Sequence, residues 1–354
     1  MPLYEIALPT PLFKHFTYHS EVDLQSGQFV LVSLRNSQTV GLVVNEIADY
    51  KGAIKDVINV LPWCLNHKQQ EFLLWLSHYT LSPLGLCQKL MLPFSMIEIQ
   101  KMLKKPLTFE ALKINSHQEI LTLTNEQEKA AKTIKESFNA FTPFLLDGTT
   151  GSGKTEVYFD VIDQILKNKE QALVLLPEIS LTKQWVDRFF KKFGFLPSLW
   201  HSQIGMKEKR KVFESVYKGI PLVIVGARSA LFLPFKNLKL IVVDEEHDTS
   251  FKQEEQLIYN ARDAAVVRAK TEECPIILSS ATPSLETYYN STIGKFKTLT
   301  LKERFTNTPP PPIYLIDKRQ KETNEKGKYI SKTLIQEIEK NLKNEEQSLL
   351  FLNR

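Results

Sequence analysis

The octapeptide Gly148-Thr149-Thr150-Gly151-Ser152-Gly153-Lys154-Thr155 constrains this chain more than any other stretch. It follows the apolar run Phe144-Leu145-Leu146 and leads into an amphipathic, charged segment. A buried strand that turns through glycines into a helix aims several backbone N–H groups, and the positive end of the helix, at one point. That is a cradle for phosphate. Residues Gly148 to Thr155 are therefore expected to bind ATP phosphates. Lys154 should reach the β and γ phosphates as a catalytic cation, and the Thr155 hydroxyl should bind Mg2+.

The pattern around the cradle agrees. From residue 123 onward, short apolar runs alternate with charged amphipathic segments. The runs are Phe144–Leu146, Ala172–Leu176, Leu222–Val225, Leu240–Val243 and Ile276–Leu278. Runs of this length suit parallel strands covered on both faces, and the alternation predicts an α/β sheet with right-handed crossovers. Two further motifs sit at strand ends. Asp244-Glu245-Glu246-His247 follows Leu240–Val243, where Asp244 would hold Mg2+ and Glu245 would act on the attacking water. Ser279-Ser280-Ala281-Thr282-Pro283 follows Ile276–Leu278, with Ser280 and Thr282 as coupling hydroxyls between the nucleotide and a nucleic-acid groove.

These motifs in this order describe a RecA-like helicase lobe. More residues narrow it: Leu123-Thr124-Asn125-Glu126-Gln127, Leu176-Pro177-Glu178-Ile179-Ser180-Leu181-Thr182, Gly226-Ala227-Arg228-Ser229-Ala230-Leu231-Phe232, and the run from Asp244 through Phe251-Lys252-Gln253 to Tyr259-Asn260-Ala261-Arg262-Asp263. Over residues 123–290 the chain resembles the PriA family of bacterial replication-restart DNA helicases. The resemblance implies ATP- and Mg2+-dependent helicase activity with 3′ to 5′ polarity, with Gln127 among the ATP-binding residues. It also implies DNA contacts by Arg228, Phe251, Lys252, Tyr259 and Arg262. Phe251 and Tyr259 would stack on bases, while Lys252 and Arg262 would meet phosphates or internal acids. Tyr259 could instead be core, and Arg228 could instead make a surface salt bridge. Ile258 stands where the family often carries a basic residue.

The first part of the chain reads differently. Residues 1 to about 62 are β-rich, with Tyr4–Leu8, Phe29–Leu34, Val40–Ile47 and Ile54–Leu61 separated by turn residues; residues 66–91 read as one or two helices. Leu8-Pro9-Thr10-Pro11-Leu12, Phe16-Thr17-Tyr18, Gly41-Leu42-Val43-Val44 and Lys55 resemble the same family's DNA 3′-end-binding domain. By that resemblance Phe16 and Lys55 line a pocket for the terminal nucleotide, although Thr17 replaces the family's Asp and a Gly is missing near Asn36. Phe16 could equally be an ordinary core residue. The expected layout is a β-rich DNA-binding domain over 1–95, a connector over 96–122 too short for a winged helix, a helicase lobe over 123–300, and from 301 to 354 a linker, including Pro309–Pro312, with the truncated start of a second lobe. The run Leu349–Leu352 reads as a strand just begun.

Composition adds limits. The net charge of +5 permits nucleic acid without requiring it, and 43% hydrophobic residues allow a sizeable core. Cys64, Cys87 and Cys274 form no CxxC pair, so no zinc site is expected in this chain; the family's zinc would belong to a C-terminal part. No membrane contact is expected, and the localisation expected is cytoplasmic. Forked and single-stranded DNA, DNA 3′ ends, primosome proteins and single-stranded DNA-binding protein are the partners the resemblance implies. The competing reading is a module that binds DNA 3′ ends and nucleotide without turnover. The basic run Lys207–Lys211 reads as a solvated helix face.

Overall fold

The computed structural model describes residues 2–105, 122–177, 183–303, 312–317 and 330–351. The chain divides into two compact units, Met1–Thr306 and Asn307–Arg354. The sequence readings made on Glu178–Thr182, Pro309–Pro311, residues 106–121 and Leu352–Arg354 lie outside the described residues.

The first unit begins with a closed five-stranded barrel: β1 (Leu3–Ala7), β2 (Phe16–His19), β3 (Gln28–Leu34), β4 (Ser37–Ile47) and β5 (Lys55–Cys64), in the order β1-β2-β5-β3-β4 with β4 returning to β1. Closure leaves no free edge to pair with another chain. Strand β2 was not expected from the sequence; at four residues flanked by polar positions it carries too little periodicity to read. The β3–β4 hairpin turns on Arg35-Asn36, and Arg35 has φ +52°. A two-residue hairpin of this hand favours Asn or Gly at its left-handed position, and here Arg35, not Asn36, takes that conformation.

Three helices follow: α1 (His67–Tyr79), α2 (Leu84–Met91) and α3 (Met96–Lys104). Both α1 and α3 start in reciprocal capping boxes, Asn66 with Gln69 and Ser95 with Glu98, each cap contributing about 1 kcal/mol. The S-x-x-E signature at Ser95 therefore turns the first part of the expected connector into a helix. Gly85 lets α2 lie directly on β1: a Cβ there would stand 1.7 Å from the Leu8 carbonyl oxygen.

The second half of the unit is a seven-stranded parallel sheet. Its elements in chain order are α4 (Asn125–Lys135), β6 (Pro143–Gly148), α5 (Lys154–Lys167), β7 (Gln171–Leu175), α6 (Lys183–Phe193), β8 (Ser198–Trp200), α7 (Met206–Lys218), β9 (Leu222–Gly226), β10 (Leu238–Asp244), the ribbon β11 (Lys252–Gln253) and β12 (Tyr259–Asn260), α8 (Ala261–Glu272), β13 (Ile276–Ser280), α9 (Leu285–Thr292) and β14 (Lys297–Leu301). The strand order is β14-β6-β13-β10-β7-β9-β8. The central strands are buried throughout, as their unbroken apolar runs require. The two strands that the sequence did not announce are the edges, the three-residue β8 and the half-exposed β14.

Barrel and sheet share one hydrophobic cluster that contains Phe29, Trp63 and Phe72 together with Phe213, Phe232 and Ile241. Polar contacts lock the same seam. Trp63 Nε1 donates to Glu214 Oε1 at 3.2 Å, Tyr217 Oη donates to the Pro62 carbonyl at 3.1 Å, and Gln69 Nε2 donates to the Phe235 carbonyl at 2.7 Å. Arg268 on α8 is fully buried under Phe72, 5.1 Å from its ring centroid, and pairs with Glu272 at 2.7 Å. Arg268→Ala leaves the Glu272 carboxylate buried and unpaired. It should cost about 3–5 kcal/mol, read as a lower urea midpoint; a loss below about 1 kcal/mol would show the pair to be dispensable.

In the second unit, Ser331 caps α10 (Lys332–Lys343), an amphipathic helix with no buried residue. Leu349 to Phe351 form no strand, contrary to the expectation from their apolar run. A strand exists only against a partner, and the described residues of this unit include none to pair with.

Candidate nucleotide site and nucleic-acid face

The sheet order explains how three distant motifs meet. Strands β6, β13 and β10 are neighbours, so the loops at their carboxyl ends, carrying Gly148–Thr155, Ser279–Thr282 and Asp244–His247, converge on one edge.

The phosphate loop wraps the start of α5. Gly153 caps the helix with φ +83°, and a Cβ there would meet Gln127 Nε2 at 2.1 Å, so both conformation and space require glycine. Lys154 is 8% exposed, and its Nζ donates to the Gly148 carbonyl at 2.6 Å. Burial pushes the Lys154 ammonium below its ordinary range; Glu245, Asp244 and Asp147 pull it back up. The cradle fits a triphosphate: open backbone donors at a helix N-terminus, a buried cation, and a carboxylate one strand over.

Gln127 occupies a different place from the one expected of an ATP-binding residue. It is 2% exposed, its Oε1 accepts from Thr124 N at 2.9 Å, and its Nε2 donates to the Ser152 carbonyl at 2.9 Å. The capping box of α4 and the underside of the loop occupy the amide, so Gln127 braces the cradle instead of facing the nucleotide.

Asp244 ends β10 held on both oxygens. Its Oδ1 accepts from Ser279 Oγ at 2.7 Å and from Glu245 N at 3.2 Å, while Oδ2 accepts from Tyr158 Oη at 2.9 Å. Tyr158 in turn accepts from Trp185 Nε1 at 2.9 Å. Burial and the neighbouring Asp244 push the Tyr158 hydroxyl well above its ordinary range, so it keeps its proton. Glu245 adopts φ +49°, an uncommon conformation for a side-chain-bearing residue. Burial, then Asp244, raises the Glu245 carboxyl above the usual carboxylate range against the pull of Lys154 and His247. Among the described residues no group of three or more His, Cys, Asp or Glu side chains could hold a metal. A magnesium held by Asp244, Thr155 and the nucleotide's own phosphates needs no such cage.

The third and fourth residues of the Asp-Glu-Glu-His run tie the loops together. His247 Nδ1 lies 2.8 Å from Ser280 Oγ, and its Nε2 lies 3.5 Å from Thr282 Oγ1. The fully buried Glu246 accepts from Ser284 N at 2.7 Å and Thr287 Oγ1 at 2.9 Å, and pairs with Arg262 Nη1 at 3.3 Å.

The remaining strands carry the other face. At the ends of β8 and β9, a cleft of about 250 Å3 is lined by Trp200, His201, Lys209, Arg228, Gln253 and Tyr259. Arg228 borders it and donates to the Lys252 carbonyl. Lys209 donates to the Ser202 carbonyl at 3.3 Å, and Arg210 donates to the carbonyls of Met102 and Lys105. The basic run is thus partly engaged, not simply a solvated face.

Two expectations about base stacking are corrected here. Phe251 is 1% exposed in the main core, and Tyr259 is 5% exposed with its ring edge-on to Phe232 at 5.2 Å. Phe251 closes the short turn Thr249–Phe251 just before the β11–β12 ribbon, which pairs Lys252 with Asn260 and Gln253 with Tyr259, and both aromatics belong to the apolar cluster. Arg262 likewise pairs with acids of this chain, the buried Glu246 and the part-exposed Asp263. Lys252 remains outward, paired with Glu254 at 2.9 Å.

In the barrel, Phe16 is half-buried against the small internal cluster, with Lys14 Nζ 5.6 Å from its ring centroid. Lys55 is exposed and sits opposite Tyr18 in the β2–β5 register, two positions from Phe16. Thr17 faces Glu5 across β1–β2.

Comparison with known proteins agrees with this division. The DEAD/DEAH box helicase model matches residues 124–290, and the 3′DNA-binding domain (3′BD) model of PriA matches residues 5–93. The replication restart protein PriA of Rickettsia conorii is 40% identical over all of this chain and 54% of its own length; that of Rickettsia felis is 42% identical over 94% of this chain and 50% of its own. The chain belongs to the PriA family. It spans about half the length of the curated relatives it matches. The PriA of Bacillus subtilis is 41% identical over 67% of this chain and 30% of its own length. The solved structure of RecG bound to a three-way DNA junction shares 22% identity over 66% of this chain and 29% of that one, with a TM-score of 0.38, too loose a likeness to align site residues. Among the described residues no helix is long and apolar enough to cross a membrane.

The fold adds Tyr158 and Trp185 to the expected site residues, and it gives Ser279 and Glu246, which stand inside the two strand-end motifs, their partners. Tyr158 carried a usable signal, since it lies three residues after Thr155 and therefore on the same face of α5. Trp185 carried none, because only the tertiary fold brings it to its partner.

Proposed function

We propose that this chain is the 3′-end-binding barrel and first motor lobe of an ATP- and Mg2+-dependent DNA helicase that moves 3′ to 5′ and acts in replication restart. The observation that carries the reading is the convergence of Lys154, Asp244, Glu245 and the His247–Ser280 contact on one sheet edge. The barrel rides on the same unit. Bound magnesium would neutralise developing charge on the transferred phosphate. The residues supply the rest. Lys154 and the loop amides bind and orient the triphosphate, Asp244 and Thr155 hold the metal, and Glu245, raised above the usual carboxylate range, accepts the proton of the attacking water. His247 reports the state of that edge to Ser280 and Thr282, whose loop leads through Ser284 to Glu246 and Arg262.

Single-stranded DNA is assigned to the cleft beside Arg228, with Lys209 and Lys252 as phosphate contacts; Phe251 and Tyr259 support this face from beneath. Primosome proteins and single-stranded DNA-binding protein are assigned as partners and forked DNA as substrate, in a cytoplasmic setting. Residues 331–351 are assigned to the opening of a second motor lobe.

Phe16 and Lys55 are assigned to the pocket for a DNA 3′ end. One stacked terminal base is worth about 1–3 kcal/mol. In a pocket closed around the terminal sugar, a 3′-phosphate would keep that base from seating, so the chain should bind an oligonucleotide with a free 3′-hydroxyl at least about fivefold more tightly than one ending in 3′-phosphate, with the preference reduced in Phe16→Ala. Fluorescence anisotropy measures both. Equal affinities for the two ends would remove the end pocket and leave a general DNA-binding barrel. A rise in nucleotide hydrolysis on adding forked DNA tests the motor assignment itself.

A further inference from the structure

We infer that Tyr158 and Trp185 are positioning residues that fix which oxygen of Asp244 is offered to the nucleotide's magnesium; the inference rests on the ATP reading above. The direction of each hydrogen bond is forced. An indole N–H can only donate, so Trp185 Nε1 occupies a lone pair of the Tyr158 oxygen at 2.9 Å. An ionised carboxylate can only accept, so the single Tyr158 proton goes to Asp244 Oδ2 at 2.9 Å. Ser279 Oγ and the Glu245 amide hold the opposite oxygen, Oδ1. A carboxylate tethered on both sides cannot turn about its own axis without losing a bond.

The Tyr158 hydroxyl is thus the one group that Trp185 and Asp244 share. No solvent can stand in for it: Tyr158 is fully buried and Trp185 is 7% exposed. Packing does not account for the hydroxyl. Tyr158 sits among Phe159, Phe189 and Phe193 in an apolar cluster where phenylalanine would fill the same volume. What the tyrosine adds is the bridge from Trp185 to Asp244. Outer partners of metal ligands commonly set metal affinity through orientation alone.

The test uses the whole chain and a fluorescent ATP analogue, titrated with Mg2+ and, separately, in EDTA. In Tyr158→Phe the Mg2+ concentration needed for half-maximal binding should rise about tenfold, while binding in EDTA stays unchanged. Trp185→Phe keeps the tyrosine and loses its orienting donor, so it should shift the Mg2+ requirement in the same direction by less. It also carries the test if Tyr158→Phe fails to fold. An unchanged Mg2+ requirement overturns the inference. So does equal weakening with and without Mg2+, because that is loss of structure and not of orientation. Asp244→Asn, measured alongside, separates the two levels. If it too leaves the Mg2+ requirement unaltered, the ATP reading has failed; if it alone raises the requirement, only the role of Tyr158 and Trp185 falls.

Discussion

Lys154→Ala should weaken binding of Mg-ATP to this chain by about 10²–10³-fold, the range expected when a buried charge loses its partner. The reason lies in what surrounds the ammonium. Lys154 is nearly enclosed, and Asp147, Asp244 and Glu245 all act on it. Those carboxylates repel an incoming triphosphate, and Lys154 is the cation buried among them. Its removal takes away the attraction and leaves the repulsion. The loop itself should survive, because its shape depends on Gly151, Gly153 and the brace from Gln127 to the Ser152 carbonyl. Calorimetric titration with Mg-ATP, with a thermal melt as control, measures the effect. Affinity within threefold of the unsubstituted chain would sink the assignment of this loop.

Glu245→Gln should separate binding from chemistry. The amide keeps the size and hydrogen bonding of the carboxylate and loses its basicity. Hydrolysis in a single turnover should fall by about 10²–10⁴-fold, the usual contribution of a positioned base, while Mg-ATP affinity changes little. Asp244→Asn should raise the Mg2+ requirement as well, since Asp244, not Glu245, is the carboxylate tethered on both oxygens. Equal loss of nucleotide binding in both variants would show that the two acids do not divide the work in this way. The left-handed backbone at Glu245 argues for a defined role, because such a conformation costs on the order of 1–3 kcal/mol and persists where surrounding structure enforces it.

What the sequence revealed follows physical locality. The phosphate loop is legible because strand, glycines, lysine and helix are consecutive, so its geometry is written within a dozen residues. The central strands were legible because burial on both faces leaves an unbroken apolar run. The edge strands β8 and β14 were not, since one is three residues long and the other alternates like a half-exposed surface strand. Aromatic residues were the weakest ground. An aromatic that stacks on a base and one that fills a core have the same side chain, and only the tertiary placement of the turn Thr249–Phe251 against the apolar cluster decides for Phe251. Gln127 was misread for a related reason: its motif announced importance, and its partners, Thr124 and Ser152, make that importance architectural.

The seam of Trp63, Gln69 and Phe72 against Glu214, Phe235 and Phe232 has a metric consequence. A hinged barrel would let a seated strand end wander relative to the motor edge, and the length of DNA between them would be averaged over many spans. A barrel sharing its core with the motor fixes that span. On the function proposed here, the enzyme would count from a DNA terminus to its first grip with a set number of nucleotides. Substrates one or two nucleotides too short would be disfavoured even though every individual contact remained available. The seam would then act as a gauge for the geometry of the junction at which the motor starts.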